Sequence, residues 1–262
     1  MKLLKYVPTR GPVSIDGRDL VAAISERWPH LPISEGWSGD DSVVSDAGHI
    51  ASFELGGERI AVLYVPAKIP WSDLEWPAAT ATFWPNATEE LQQHDGLIHV
   101  VIMDSEADAL SQMYLLTHAV WAVLDRTPTA LGVYNGHANL VVSKDKYHQT
   151  AGGMPEIRPV ILWLNFCVGP KDQGHQGYSL GMDSLGFPNV EATFSPDSFG
   201  DLKFRLLFLC DDLLAGLHLN DGDMIRNHGD GSDPQLDIIA VHGQSSYGVD
   251  GPVVQLRFDA AA

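Results

Sequence analysis

Two cysteines, Cys167 and Cys210, are all that this chain of 262 residues contains. A small secreted scaffold held by disulfides carries more, so both read as buried free thiols, one on an expected strand and one on an expected helix. No run of about 18 apolar residues occurs, which excludes a recognisable membrane-spanning helix. The opening Met1-Lys2-Leu3-Leu4-Lys5-Tyr6-Val7-Pro8 has charge but no sustained apolar core, unlike a signal peptide. The cytosol is the compartment these shortages favour.

Positive charge is scarce too. Sixteen Lys and Arg face 34 Asp and Glu, for a net charge of −18. The imbalance is shared: residues 1–150 carry 10 basic and 19 acidic side chains, and residues 151–262 carry 6 and 15. Phosphate contacts need clustered Lys and Arg, so direct nucleic-acid binding is not expected. A basic protein partner and a plain solvated acidic surface both remain open.

Catalytic and metal-binding motifs are sparse. The eleven histidines form no His-Glu-x-x-His, and there is no Cys-x-x-Cys. No Gly-x-Gly-x-x-Gly follows an expected strand, and no Walker-type lysine is present. Residues 211–237 hold seven Asp with Arg226 as the one base. Asp221, Asp223, Asp230 and Asp233 invite a calcium reading, but Ile225 stands where an EF-hand needs a third ligand. Gly177-Tyr178-Ser179-Leu180-Gly181 spells a nucleophile elbow, yet Met182 to Pro188 is a poor start for the helix that must follow. No catalytic residue, metal or cofactor is expected.

What is present is organised around residues 97–124. Leu97-Ile98-His99-Val100-Val101-Ile102 is an apolar, β-branched run that reads as a central strand, introduced by Asp95-Gly96. Ser105 is the expected cap of a long buried helix, with Leu110, Met113, Thr117, Val120, Trp121 and Leu124 at helical spacing. Before it, a helix over 16–28 is expected, ended by Pro29 and Pro32. A hairpin follows around Gly56-Gly57. The stretch from Pro66 to Pro85 holds four prolines with Trp71, Trp76, Phe83 and Trp84, and reads as an irregular flap. Its tryptophans either pin it to the core or form a partner surface. After the central helix, Asn135-Gly136 signals a second hairpin, and residues 144–155 read as a polar junction.

In the second half, Val160 to Val168 reads as another central strand. Gly177 to Met182 and Val190 to Phe194 are further strand candidates. Ser195-Pro196 is the expected start of a helix with Phe199, Leu202, Leu206, Leu209, Leu213 and Leu217 on its buried face. Strands over 236–241 and 253–258 close the chain. The expected fold class is α+β: two mixed sheet-plus-helix halves, 1–150 and 151–262, each with one long buried helix.

Several short motifs carry a resemblance. Tyr178-Ser179-Leu180-Gly181-Met182, Leu185-Gly186-Phe187-Pro188, Val190-Glu191-Ala192 and Asn220-Asp221-Gly222-Asp223 look like the bacterial domain of unknown function numbered four-two-six-one. Ile69-Pro70-Trp71-Ser72-Asp73-Leu74, Trp84-Pro85, His94 and Ile98-His99-Val100-Val101 look like the segment that precedes it. Chains of this kind also resemble immunity proteins of type VI secretion. That resemblance implies a stoichiometric inhibitor that binds a secreted antibacterial toxin, and the acidic surface suits a toxin whose active face is basic, a nuclease above all. The acidic residues then become partner-binding candidates: Glu35, Asp40, Asp41 and Asp46 in one stretch, Asp211, Asp212, Asp221, Asp223, Asp230 and Asp233 in the other. Trp71, Trp76 and Trp84 are the aromatic candidates. Two other readings are an enzyme with a pocket near His94 and His99, and an adaptor or chaperone that loads an effector.

Overall fold

The computed structural model describes residues 3–34, 50–103, 105–225 and 237–259. Glu35, Asp40, Asp41, Asp46, Asp230 and Asp233 lie outside them. The chain is α+β and divides into two compact units, Met1–Trp163 and Leu164–Ala262.

The first unit runs β1 (Leu4–Thr9), α1 (Gly17–Arg27), β2 (Ile33–Ser34), β3 (Ile50–Leu55), β4 (Glu58–Val65), α2 (Trp71–Ala79), α3 (Ala87–Gln92), β5 (Gly96–Met103), α4 (Ala109–Arg126), β6 (Gly132–Asn135), β7 (Leu140–Ser143), α5 (Lys144–Ala151) and α6 (Val160–Trp163). Its sheet has the order β2-β3-β4-β5-β1-β6-β7, with antiparallel neighbours throughout. The run expected at the centre is there: β5 is the middle strand, and Ile98, Val100 and Ile102 are buried on one face. Helix α4 packs on β5 and β1 and buries Met113, Leu116, Val120 and Val123. It begins three residues later than a Ser105 cap implies. Asp108 caps it, accepting from the Ser111 N–H at 2.9 Å, while Ser105 Oγ accepts from Ala107 N–H in the approach. An aspartate three residues before a free N–H outcompetes the earlier serine.

Three sequence expectations change in this unit. Residues 71–79 are helix α2 rather than an irregular flap. Pro77 forfeits its bond to the Asp73 carbonyl, but Leu74, Pro77 and Ala78 are buried, and that packing outweighs one missing hydrogen bond. The polar junction over 144–155 is mostly helix α5, capped by Ser143. Trp121, expected in the core, is half-buried, stacked on His148 with ring centres 5.1 Å apart. Trp28, at the end of α1, is the buried one, and its Nε1 donates to the Met154 carbonyl at 3.1 Å.

The boundary also moves, from 150/151 to 163/164. Val160–Trp163 is a helical turn rather than the start of a strand. Trp163 belongs to the first unit because its Nε1 donates to Thr117 Oγ1 at 2.9 Å and its ring meets Tyr114 edge-on.

The second unit contains β8 (Asn165–Lys171), β9 (Gly174–Leu180), β10 (Asn189–Ser195), α7 (Phe199–Leu214), β11 (Met224–Ile225), β12 (Asp237–Gln244) and β13 (Pro252–Asp259). The sheet order is β11-β12-β13-β10-β9-β8, so β8 is an edge strand and not the expected central one. Only β10 and β13 pair in parallel among the described strands. Helix α7 packs on β8, β9 and β10. It starts at Ser198 rather than Ser195. Ser198 Oγ accepts from Asp201 N–H at 3.2 Å and donates to the Asp201 carboxylate, a reciprocal cap, whereas Ser195 Oγ holds the Asp197 N–H.

Candidate partner-binding surface

Helix α7 has two apolar faces, and among the described residues one of them is exposed. Leu202, Leu206, Leu209, Cys210, Leu213 and Leu214 are buried against the sheet. Close approach is possible because Gly177 has no side chain: a Cβ there would stand 3.1 Å from Leu206 Cδ1 and 2.9 Å from the Cys167 carbonyl. On the opposite side, Phe204 and Phe208 are 60% and 59% exposed. They are one helical turn apart and stack with ring centres 6.2 Å apart and planes 23° apart. Phe199 and Phe194 are also exposed. Two of the residues assigned to the buried face, Phe199 and Leu217, are therefore at the surface. A helix of the second unit's size has room for one core stripe, and the leucines fill it.

Acidic side chains flank the phenylalanines. At about 100° of rotation per residue, Asp201 and Asp211 lie within about 60° of Phe204, and Asp212 within about 80°. Asp211 and Asp212 stand in the last turn of α7, which contains no basic residue. The carbonyl end of a helix already carries partial negative charge, so the exposed Asp212 carboxylate there costs stability rather than adds it. Arg205 is occupied elsewhere, bound to Asp197 at 2.8 Å and 3.3 Å.

The other acidic candidates have local duties. Asp221 Oδ1 accepts from His242 N–H at 2.9 Å, and Asp223 Oδ2 accepts from Asn220 N–H at 2.7 Å. The first ties the 220–223 turn to β12, and the second closes the turn itself. Asp221 and Asp223 thus stand in a hydrogen-bonded turn, whereas Asp211 and Asp212 stand on the helix. No group of three His, Cys, Asp or Glu among the described residues is placed to hold a metal ion.

The tryptophans do not form one surface. Trp84 is buried in a second core of the first unit with Ile69, Leu74, Leu91, Leu97 and Tyr134. Trp71 is half-buried against that core, and Trp76 is 41% exposed. Phe83 is exposed too, and Lys146 Nζ stands 4.8 Å from its ring centre.

The histidines of the enzyme reading are structurally engaged. His94 is buried, its Nε2 accepts from Ile69 N–H at 2.8 Å, and its Nδ1 donates to the Leu91 carbonyl. Both ring nitrogens thus brace the backbone. His99 is half-buried, edge-on to Tyr6, and burial lowers its pKa. Ser179 of the Gly-x-Ser-x-Gly stretch lies inside β9 and is wholly buried. Its Oγ accepts from Val190 N–H at 2.8 Å, and a strand-to-helix elbow is not formed. Both cysteines are free, and burial pushes the Cys167 thiol up to about 11 and that of Cys210 up to about 12, so both are poor nucleophiles at neutral pH.

The sequence contained the signal for the α7 face. Phe204 and Phe208 are spaced by four on the side of the helix away from the leucines. Attention to the leucine stripe alone passes over them. No helix among the described residues is long and apolar enough to cross a membrane. Comparison with protein-family models, curated proteins and solved structures gives no match.

Proposed function

We propose that this chain is an immunity-type inhibitor: a protein that binds a basic, secreted antibacterial toxin one-to-one through the outer face of α7 and masks it. The observation that carries this reading is the exposed Phe204–Phe208 stack with Asp201, Asp211 and Asp212 around it. Exposed aromatic pairs are the usual anchors of protein interfaces, and a polar rim around them is the usual setting. The acidic rim and the net charge of −18 select a partner rich in Lys and Arg. A nuclease has such a surface, since it must hold phosphates. The resemblance of chains of this kind to type VI immunity proteins suggests the class of partner.

The test is co-expression with the product of the gene beside this chain's own, followed by sizing of the purified complex. A one-to-one complex and survival of the toxin-producing cell are the expected results. Free toxin and free inhibitor eluting apart, with no protection, would contradict the proposal.

A further inference from the structure

Lys5 lies in β1 and is 1% exposed, yet its Nζ has no hydrogen-bond partner. Asn135 Oδ1 and Tyr147 Oη are buried and unpartnered as well. Lys5 and Asn135 are adjacent in the sheet, and a chain of hydrogen bonds runs from Asn135 through Trp163 to Thr117, beside Tyr147. Tyr6 pairs with Tyr134 across β1 and β6, and their rings stack at 5.8 Å on one face of the sheet. The next position along this antiparallel pair puts Lys5 beside Asn135 on the opposite face. Asn135 Nδ2 donates to the Trp163 carbonyl at 2.8 Å, which leaves Oδ1 as its open atom. Trp163 Nε1 in turn donates to Thr117 Oγ1, and Thr117 Oγ1 donates to the Met113 carbonyl at 2.7 Å. Tyr147 Oη comes beside Thr117 without a hydrogen bond of ordinary geometry.

An unpaired polar atom in a protein interior costs free energy, and three would take a large share of the small net stability of a domain. Ordered water is the usual remedy, with two to four polar partners for each molecule. We infer that Lys5 Nζ, Asn135 Oδ1 and Tyr147 Oη line an internal site for water in the core of the first unit. Water fits because it can donate to Oδ1 while it accepts from, or donates to, the amine and the phenol. An anion would meet the lone pairs of Oδ1, and a cation would meet the amine.

The amine at this site gives up its proton far more readily than an ordinary lysine. Burial brings Lys5 down to about 7, and no counter-charge holds it up. On α4 the ionisable groups are Tyr114, His118, Asp125 and Arg126, with Asp125 exposed at the helix end. On α5 they are Lys144, Asp145, Lys146, Tyr147 and His148, with Asp145 exposed. His137 follows β6, and His99 of β5 is on the opposite face with Tyr6. Burial also pushes the Tyr147 hydroxyl well above its ordinary value, so it stays protonated as a donor.

The measurement is a nuclear magnetic resonance titration of the wild-type chain, with the Lys5 ε-methylene assigned through bonds so that no variant has to fold. One lysine titrating with a midpoint near 7, together with cross-peaks from long-lived water to the Lys5 ε-protons, is the expected outcome. A Lys5 midpoint in the ordinary range near 10.5, or no water contact at its ε-protons, would overturn the inference. A Lys5 midpoint that moves when chloride is exchanged for a bulky anion would also overturn it, because the occupant would then be an anion.

Discussion

Phe204 and Phe208 stack on each other across one turn of α7, in solvent, with Asp211 and Asp212 less than two turns further on. Folding gains little from either feature. An exposed aromatic pair keeps most of its apolar area in water, and carboxylates at a helix C-terminus oppose the helix dipole. Both features are useful to a protein that meets a basic partner.

That opposition gives a first prediction. Asp212→Asn should raise stability by about 0.3–1 kcal/mol, because it removes a like charge from the carbonyl end of α7. In the same variant, association with a basic toxin should slow and its salt dependence should flatten, as for a charge at an interface rim. Chemical denaturation and stopped-flow binding at two salt concentrations measure the two effects. A variant that is destabilised and associates at the wild-type rate would remove Asp212 from the surface.

A second prediction separates two tryptophans. Trp28 is 2% exposed and in contact with both His118 and Trp121. Trp28→Ala should cost about 3–5 kcal/mol as a large-to-small core change. Trp121→Ala should cost clearly less, since its ring is half-buried between Trp28 and His148. Equal losses in urea denaturation would contradict the ranking.

Much of the fold was legible. The β5 run, the Gly56-Gly57 hairpin and the leucine stripe of α7 stand out because period and composition agree there. Helix α2 was hidden by Pro77, since a proline inside a nine-residue helix argues against helix until the burial of Leu74 and Ala78 is known. The run starting at Val160 misled because a short apolar segment suits a buried turn as well as a strand. The candidate surface was half legible. Asp211 and Asp212 stand out by charge, but their pairing with Phe204 and Phe208 depends on knowing which side of α7 the sheet covers. Asp221 and Asp223 look the same in sequence, and only the turn they cap sets them apart.

The third prediction concerns acid. His118 is buried, its Nδ1 meets the Tyr114 carbonyl at 2.8 Å, and burial lowers it to about 4. Above about pH 6.5 the ring is neutral in both folded and unfolded chains, and no penalty arises. Between pH 6.5 and 4 the unfolded chain takes up a proton that the folded chain refuses, so stability falls as pH falls. At 1.36 kcal/mol per unit the loss reaches about 3 kcal/mol by pH 4. His118→Phe should reduce the slope of the pH profile of unfolding by that amount, leaving the share of His99 and His148, which burial also lowers. An unchanged slope would show that another group carries it.

The central claim is that the outer face of α7 is what binds the partner. Its most direct test is titration calorimetry of the purified toxin against the wild-type chain and against the double variant Phe204→Ala, Phe208→Ala. Alanine favours the helix and both side chains are exposed, so the variant should fold with a stability near that of the wild type. Wild-type chain should bind with one-to-one stoichiometry, and the double variant should lose about 2–4 kcal/mol of binding free energy, the range of an interface hot spot. A folded double variant that binds the toxin with wild-type affinity would contradict the claim.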